Sequence, residues 1–268
     1  MTIGNRELNI ENKCYIMGIL NVTPDSFSDG GKWITHDAAL RHADGMIGDG
    51  ADIIDVGGES TRPGYQEITD SEEIDRIVPV VKALHDRFDI PISIDTYKSK
   101  VAAAAIEAGA DLVNDIWGLK HDGNMAETIA HTGAVCCLMH NRKVMDYGDF
   151  LTDLLDDLRQ SLDLARKAGI AENKIILDPG VGFAKTPEMN LAAINKIDAI
   201  RSLGYPVLLG ASRKSIVGKV LDLAVTDRLE GSLAAAVVGL IRGCSFVRVH
   251  DVKETKRTII MAEAIIGS

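Results

Sequence analysis

The sequence predicts a single-domain (β/α)8 barrel, a TIM barrel, running over residues 1–268. Three observations carry that prediction. Short apolar, β-branched runs alternate with stretches of helical periodicity. The alternation repeats eight times. The runs are nearly continuous in apolar character, as strands buried on both faces of a parallel sheet are. An open doubly wound sheet also alternates, but no G-x-G-x-x-G follows the first run.

The elements follow in order. Residues 1–12 precede the first strand and suit a small hairpin plugging the barrel bottom. Strands are expected at Cys14–Leu20, Asp52–Val56, Ile92–Ile94, Asp111–Val113, Ala134–Met139, Lys174–Leu177, Val207–Leu209 and Phe246–Val249, each rich in Ile, Val or Leu. Helices are expected at His36–Gly48, Ser71–Phe88, Lys98–Ala108, Asn124–His131, Phe150–Ala168, Pro187–Leu203, Asp227–Arg242 and Val252–Ile266. Thr186 before Pro187 reads as an N-cap with proline at the first helical position. Gly109 and Gly169 stand where helices end in glycine before the next strand.

Composition narrows the function. Lys and Arg number 29 against 39 Asp and Glu, a net charge of −10. That balance argues against nucleic acid or an anionic membrane as partner. Any bound anion must be held by a local basic cluster. Cys14, Cys136, Cys137 and Cys244 form no CxxC and sit in apolar stretches, as buried free thiols do, so a reducing cytoplasmic setting is expected. The first residues lack a basic segment leading into an apolar one, so no signal peptide is read, and no apolar stretch reaches the ~18 residues of a membrane span. Neither G-x-x-x-x-G-K-[ST], H-E-x-x-H nor G-x-S-x-G occurs.

Chemistry in such barrels collects at the C-terminal ends of the strands. Those ends carry Asn21, Asp55, Asp95, Asn114 and Asp115, His140, Asp178, Ser212 to Lys214, then Arg248 and His250. Asp95, Asn114 and Asp178 come from three strands. Together they suit a flat, nitrogen-rich ring, because a carboxylate accepts two N–H bonds and an amide both donates and accepts. Any one alone is equally well a turn or capping residue. Arg62, Lys214, Arg248 and His250 come from three loops and, converging, make an anion site suited to phosphate or pyrophosphate. Arg248 and His250 flank Val249 at period two and so point the same way. The loop of residues 21–31, with Phe27 among hydroxyls and turn formers, reads as a lid. Its oxygens suit Mg2+ beside a substrate phosphate. The residues alone therefore reach an α/β-barrel enzyme that binds a planar polar heterocycle together with an anion.

The strings at these ends resemble the dihydropteroate synthase family. MGILNVTPDSFSDGG (residues 17–31) is similar to its first signature and DIIDVGGESTRPG (52–64) to its second. SIDT (93–96), ND (114–115), LDPG (177–180) with GF (182–183), GASRKS (210–215) and VRVHDV (247–252) complete the set over almost the whole chain. The resemblance implies a folate-pathway transferase. It would join 6-hydroxymethyl-7,8-dihydropterin diphosphate to p-aminobenzoate, releasing pyrophosphate and 7,8-dihydropteroate. It implies that Asp95, Asn114, Met139, Asp178, Lys214 and Arg248 hold the pterin. Asn21, Thr61, Arg62, Arg248, Val249 and His250 would bind the diphosphate, with Asn21 on Mg2+. Phe27, Thr61, Pro63, Phe183, Lys185 and Ser215 would form the p-aminobenzoate pocket, where sulfonamides compete. Asp95, Lys214 and Arg248 would carry catalysis by an SN1-like route, and a homodimer is implied. Two rivals exist, a pterin-dependent methyltransferase domain and a non-catalytic pterin-binding barrel. The first has little need of the basic cluster; the second would have lost the lid or the Mg2+ ligand.

Overall fold

The alternating apolar runs fold as eight parallel strands whose side chains point by turns into the barrel and out to a ring of helices. The computed structural model describes residues 1–22, 32–59 and 67–268, with only the backbone of 32–35. A two-stranded hairpin comes first, β1 (Thr2–Ile3) and β2 (Arg6–Glu7), paired Thr2 to Glu7 around Gly4 at φ 57°. The barrel strands are β3 (Tyr15–Asn21), β4 (Ile53–Gly57), β5 (Ile92–Asp95), β6 (Leu112–Asp115), β7 (Val135–Met139), β8 (Ile175–Asp178), β9 (Leu208–Leu209) and β10 (Phe246–Val249). Neighbours in the order β8-β7-β6-β5-β4-β3-β10-β9 are hydrogen-bonded. A parallel bridge from Leu177 to Val207, with the Leu177 N–H donating to the Pro206 carbonyl at 2.9 Å, closes the ring.

The helices are α1 (Lys32–Gly48), α2 (Asp70–Arg87), α3 (Ser99–Glu107), α4 (Met125–Thr132), α5 (Phe150–Ala168), α6 (Pro187–Asn195), α7 (Ile197–Arg201), α8 (Ser215–Leu221), α9 (Leu229–Ile241) and α10 (Val252–Ile266). Their ends obey local rules. Thr186 accepts the Met189 N–H at 3.2 Å with Pro187 in the first turn, as its sequence predicts. Gly133 and Gly169 close α4 and α5 in the left-handed region. Two expectations are corrected. The helix expected over Pro187–Leu203 is two helices, interrupted at Lys196 (φ −112°, ψ 24°), and α8 was not foreseen. Seven residues on the heels of a Ser-Arg-Lys strand end are too short a stretch to show a helical period.

The interior is layered. Met17, Ile53, Leu112, Val135, Cys137, Ile176, Leu208 and Phe246 fill the lower barrel, sealed from below by Ile3 and Leu8 of the hairpin segment. The alternate side chains, among them Ile54, Val56, Ile92, Ile94, Val113, Leu177 and Val247, pack outward against the helices. One step above the apolar layer the inward positions turn polar: Ile53 gives way to Asp55, Leu112 to Asn114, Ile176 to Asp178 and Phe246 to Arg248. The period of two that builds the core thus delivers these groups to the C-terminal mouth. All four cysteines are buried and free.

Candidate active site

Arg248 organises the upper barrel. Its Nε donates to Asp55 Oδ2 at 2.6 Å and one terminal nitrogen donates to Asp95 Oδ2 at 2.6 Å. Ser93 donates from Oγ to the other Asp55 oxygen at 2.5 Å. One cation therefore faces two buried carboxylates. Burial pushes the Asp95 carboxyl up to about 7; Arg248 opposes that rise and the Asp55 charge adds to it. Burial works against the Arg248 cation too, but Asp55 and Asp95 outweigh it and hold the guanidinium charged. Asp95 Oδ1 is buried and has no hydrogen-bond partner among the described residues. A buried acceptor left unmatched costs about 1–3 kcal/mol, which a ligand N–H can recover.

Asp178 stands across the pocket at the end of β8. Its Oδ1 accepts the Gly180 N–H at 2.6 Å, and burial raises its carboxyl against the pull of Lys214. The Lys214 ammonium reaches the Val181 carbonyl and lies 4.7 Å from the centre of the Phe183 ring. Burial lowers it to about 8, opposed by Asp178 and reinforced by Arg248. A Cβ at Gly210 would lie 3.6 Å from Asp178 Oδ2, 3.9 Å from Lys214 Nζ and 4.0 Å from Arg248 Cβ, so these three groups share one space. Asn114 is buried beside them on β6. Met139, Ile116 and Tyr97 form an apolar cluster with the partly exposed rings of Trp117 and Phe183. Charged and amide groups thus share the mouth of the barrel with an apolar cluster, the mixture of groups that suits a flat heterocycle.

The anion side is partly in view. His250 donates its backbone N–H to Ser212 Oγ at 3.2 Å, and its Nδ1 lies 3.1 Å from the same oxygen. Val249 is buried in β10 with its side chain turned to the outer core. Ser215 opens α8 directly after Lys214. A Cβ at Gly57 would lie 3.6 Å from Asn21 Oδ1 and 3.8 Å from Asp95 Cβ, so the missing side chain leaves space between amide and carboxylate. Phe27, Thr61, Arg62 and Pro63 lie outside the described residues.

Lys185 departs from expectation. Its ammonium does not face a ligand pocket: it is 9% exposed and donates to His140 Nδ1 at 2.8 Å, Gly180 O at 3.0 Å and Phe183 O at 3.1 Å. An ammonium has three protons, and all three are used.

Three further groups escaped the sequence. Asp55 stood at a strand end with no role assigned, yet a carboxylate at the inward parity of a buried strand needs a cation, and that was a usable signal. Ser93 carried none. Lys98 forms ion pairs with Glu59 at 2.7 Å and Glu73 at 2.8 Å, all three buried, and donates to the Ile68 carbonyl at 2.7 Å. Nothing in the local pattern separates Lys98 from a solvated helix-end lysine.

Comparison with known proteins decides the family. The family model described as pterin binding enzyme matches residues 17–250. A dihydropteroate synthase of Clostridium beijerinckii is 55% identical over 99% of both chains. The chain belongs to the dihydropteroate synthase family of pterin-binding enzymes. A Clostridium difficile dihydropteroate synthase solved in the presence of pteroic acid superposes with a TM-score of 0.94 at 48% identity, over 97% of this chain and 99% of that one. A Xanthomonas albilineans dihydropteroate synthase solved with 4-aminobenzoic acid gives 0.94 at 35% identity, over 98% and 97%. The single-domain barrel is the fold of this family. Its relatives place this chain among the transferases, and the polar pocket found above lies where a TIM barrel keeps its chemistry.

Proposed function

We propose that this chain condenses 6-hydroxymethyl-7,8-dihydropterin diphosphate with p-aminobenzoate to give 7,8-dihydropteroate and pyrophosphate. The observation that carries the reading is the buried Asp55–Arg248–Asp95 group with one unmatched Asp95 oxygen, set at the mouth beside Asn114, Asp178 and Lys214. Asp178 and Asn114 hydrogen-bond the ring edge, Arg248 stacks on the ring with Met139 near it, and Asp95 accepts from the ring through Oδ1.

The bond that breaks joins the pterin methylene to the diphosphate oxygen, and its electron pair leaves with pyrophosphate. Arg248 and His250, with Arg62 and Thr61 from the second loop, stabilise the departing charge. The cation left on the methylene is conjugated with the ring, and the Asp95 carboxylate beside the ring stabilises it. The p-aminobenzoate nitrogen then forms the new C–N bond and gives its proton to solvent. No strong base is required once the leaving group departs first. A secondary deuterium isotope effect at the reacting methylene well above unity is expected, and a value near unity would count against this order.

Mg2+ fits the donor set as a shared ion. Among the described residues no group of three His, Cys, Asp or Glu is arranged to hold a metal. Asn21 offers one amide oxygen at the edge of the space over Gly57 and would be the residue that holds the ion beside the diphosphate. When bound it supplies charge neutralisation on the diphosphate. Phe27, Thr61, Pro63, Phe183 and Ser215 make up the proposed p-aminobenzoate pocket. The reading includes a reducing cytoplasmic setting, in keeping with four free buried thiols. It also includes a homodimer: α9 packs between α8 and α10, and that side exposes Val220, Leu221, Ile241, Ile260 and Met261.

The deciding experiment is pyrophosphate release from the purified protein with pterin diphosphate and Mg2+, with and without p-aminobenzoate. Release that needs p-aminobenzoate and is blocked by a sulfonamide is expected. Bound pterin without release would leave a methyltransferase-like or non-catalytic barrel.

A further inference from the structure

Lys185 directs its ammonium into the backbone of the turn that makes one wall of the pocket. The turn runs from Asp178 at the end of β8 to Phe183. Lys185 Nζ donates to the carbonyls of Gly180 (3.0 Å) and Phe183 (3.1 Å), so it grips the turn at its middle and at its far end. On either side of the Gly180 carbonyl, the Gly180 N–H donates to Asp178 Oδ1 and the Val181 carbonyl receives Lys214. Both pocket groups therefore take their orientation from backbone that Lys185 fixes. Gly180 is at φ 68°, and a Cβ there would collide with the His140 carbonyl oxygen, so the turn is also pressed against the end of β7.

His140 anchors the lysine in turn. Its Nδ1 lies 2.8 Å from Lys185 Nζ and its Nε2 3.0 Å from Asp157 Oδ2 on α5. Asp157 also accepts from Arg142 Nε at 2.5 Å, and its backbone carbonyl takes Lys120 Nζ at 3.3 Å. This geometry favours one arrangement of the protons. An Nε2–H facing the carboxylate leaves Nδ1 as an acceptor, and the three acceptors around Lys185 then match the three protons of an ammonium. The opposite tautomer would set a nitrogen lone pair against Asp157. Burial keeps the imidazole neutral, with its pKa lowered to about 3, and also lowers the Lys185 ammonium to about 7, so this arrangement is complete below that pH.

We infer that Lys185, held by His140 and Asp157, is a positioning residue that orients Asp178 for the pterin. The inference rests on the proposed function for the identity of the ligand.

The test measures binding of 6-hydroxymethyl-7,8-dihydropterin and of inorganic pyrophosphate with Mg2+ to the full chain by calorimetry. In Lys185→Met the pterin Kd should rise about 10- to 100-fold, the size expected when an oriented group loses its support. The pyrophosphate Kd should stay within threefold, because Arg248 is held by Asp55 and Asp95 and His250 by Ser212, not by the turn. A general loosening of the fold would weaken both ligands together. Two histidine variants divide the relay. His140→Asn keeps an acceptor at the Nδ1 position and should preserve pterin affinity; His140→Gln reaches toward Asp157 instead and should lose it as Lys185→Met does. The histidine pair decides the matter should Lys185→Met fail to fold. Unchanged pterin affinity in Lys185→Met, parallel loss of both ligands, or equal behaviour of the two histidine variants would overturn the inference. Failure of the parent protein to bind either ligand would instead sink the proposed function.

Discussion

Arg248 is a single cation set between two carboxylates that it cannot both neutralise, and Asp95 bears the consequence. Its folded-state pKa, raised to about 7, lies above the ordinary value of 3.8. The native state therefore binds that proton more tightly than the unfolded chain does. The stability from this group is complete below about 3.8 and is lost as pH rises through about 7. Asp95→Asn should accordingly raise the Tm at pH 8, by about 2–4 °C if the relief is near 1 kcal/mol, while lowering turnover at least about 100-fold. A variant that is fully active, or less stable at pH 8, would contradict this account. The same groups shape the pH dependence of catalysis. With pterin diphosphate, kcat/KM should rise near pH 7 as Asp95 ionises and fall near pH 8 as Lys214 loses its proton. A profile flat across both values would remove Asp95 and Lys214 from the chemistry. Arg248→Ala should weaken pyrophosphate binding by at least about tenfold, as loss of a charge-assisted pair does.

Between elements, the site depends on ion pairs that join one βα loop to the next. Lys98, at the start of α3, binds Glu59 after β4 and Glu73 in α2, and its third proton goes to the Ile68 carbonyl. The Glu59 carboxylate also accepts the Ile68 N–H at 2.9 Å and the Tyr97 hydroxyl at 2.7 Å. Removing the lysine charge leaves two buried carboxylates without a cation. Lys98→Met should therefore cost about 3–5 kcal/mol in urea unfolding, more than any exposed pair such as Lys82 with Asp86. A loss under about 1 kcal/mol would show that water reaches the group.

For the whole molecule, the barrel keeps stability and chemistry at opposite ends. The lower layer is apolar and stoppered by Ile3 and Leu8, while the upper layer is charged. Ile3→Ala should cost about 2–5 kcal/mol by opening a cavity beneath the barrel, yet leave kcat and both KM values within twofold, because no residue of the upper site touches it. An equal loss of activity would mean that the two ends are coupled. The exposed apolar side around α9 predicts a dimer by sedimentation, and Ile241→Glu should shift it to monomer.

Much of this was legible in the amino-acid order. The eight runs, the helix starts at Pro187 and Val252, the hairpin, and the polar residues at strand ends are all local signals: a period of two or 3.6, a cap, a proline. Asp95, Asn114, Asp178, Lys214 and Arg248 are legible because each lies at or just after a strand end, and strand ends in a closed parallel barrel meet at one mouth. The pairings required the tertiary structure. Arg248 reaches Asp55 across 193 residues and Lys98 reaches Glu59 across 39, and no local period records such distances. Lys185 shows the limit most clearly. The family resemblance implies a pocket residue, but its direction is set by two carbonyls and a histidine 45 residues away, which only the closed barrel brings within reach. Periodicity determines which face a side chain takes; which charge it meets there is decided by packing, because only a folded interior makes an unmet charge costly enough to choose its partner.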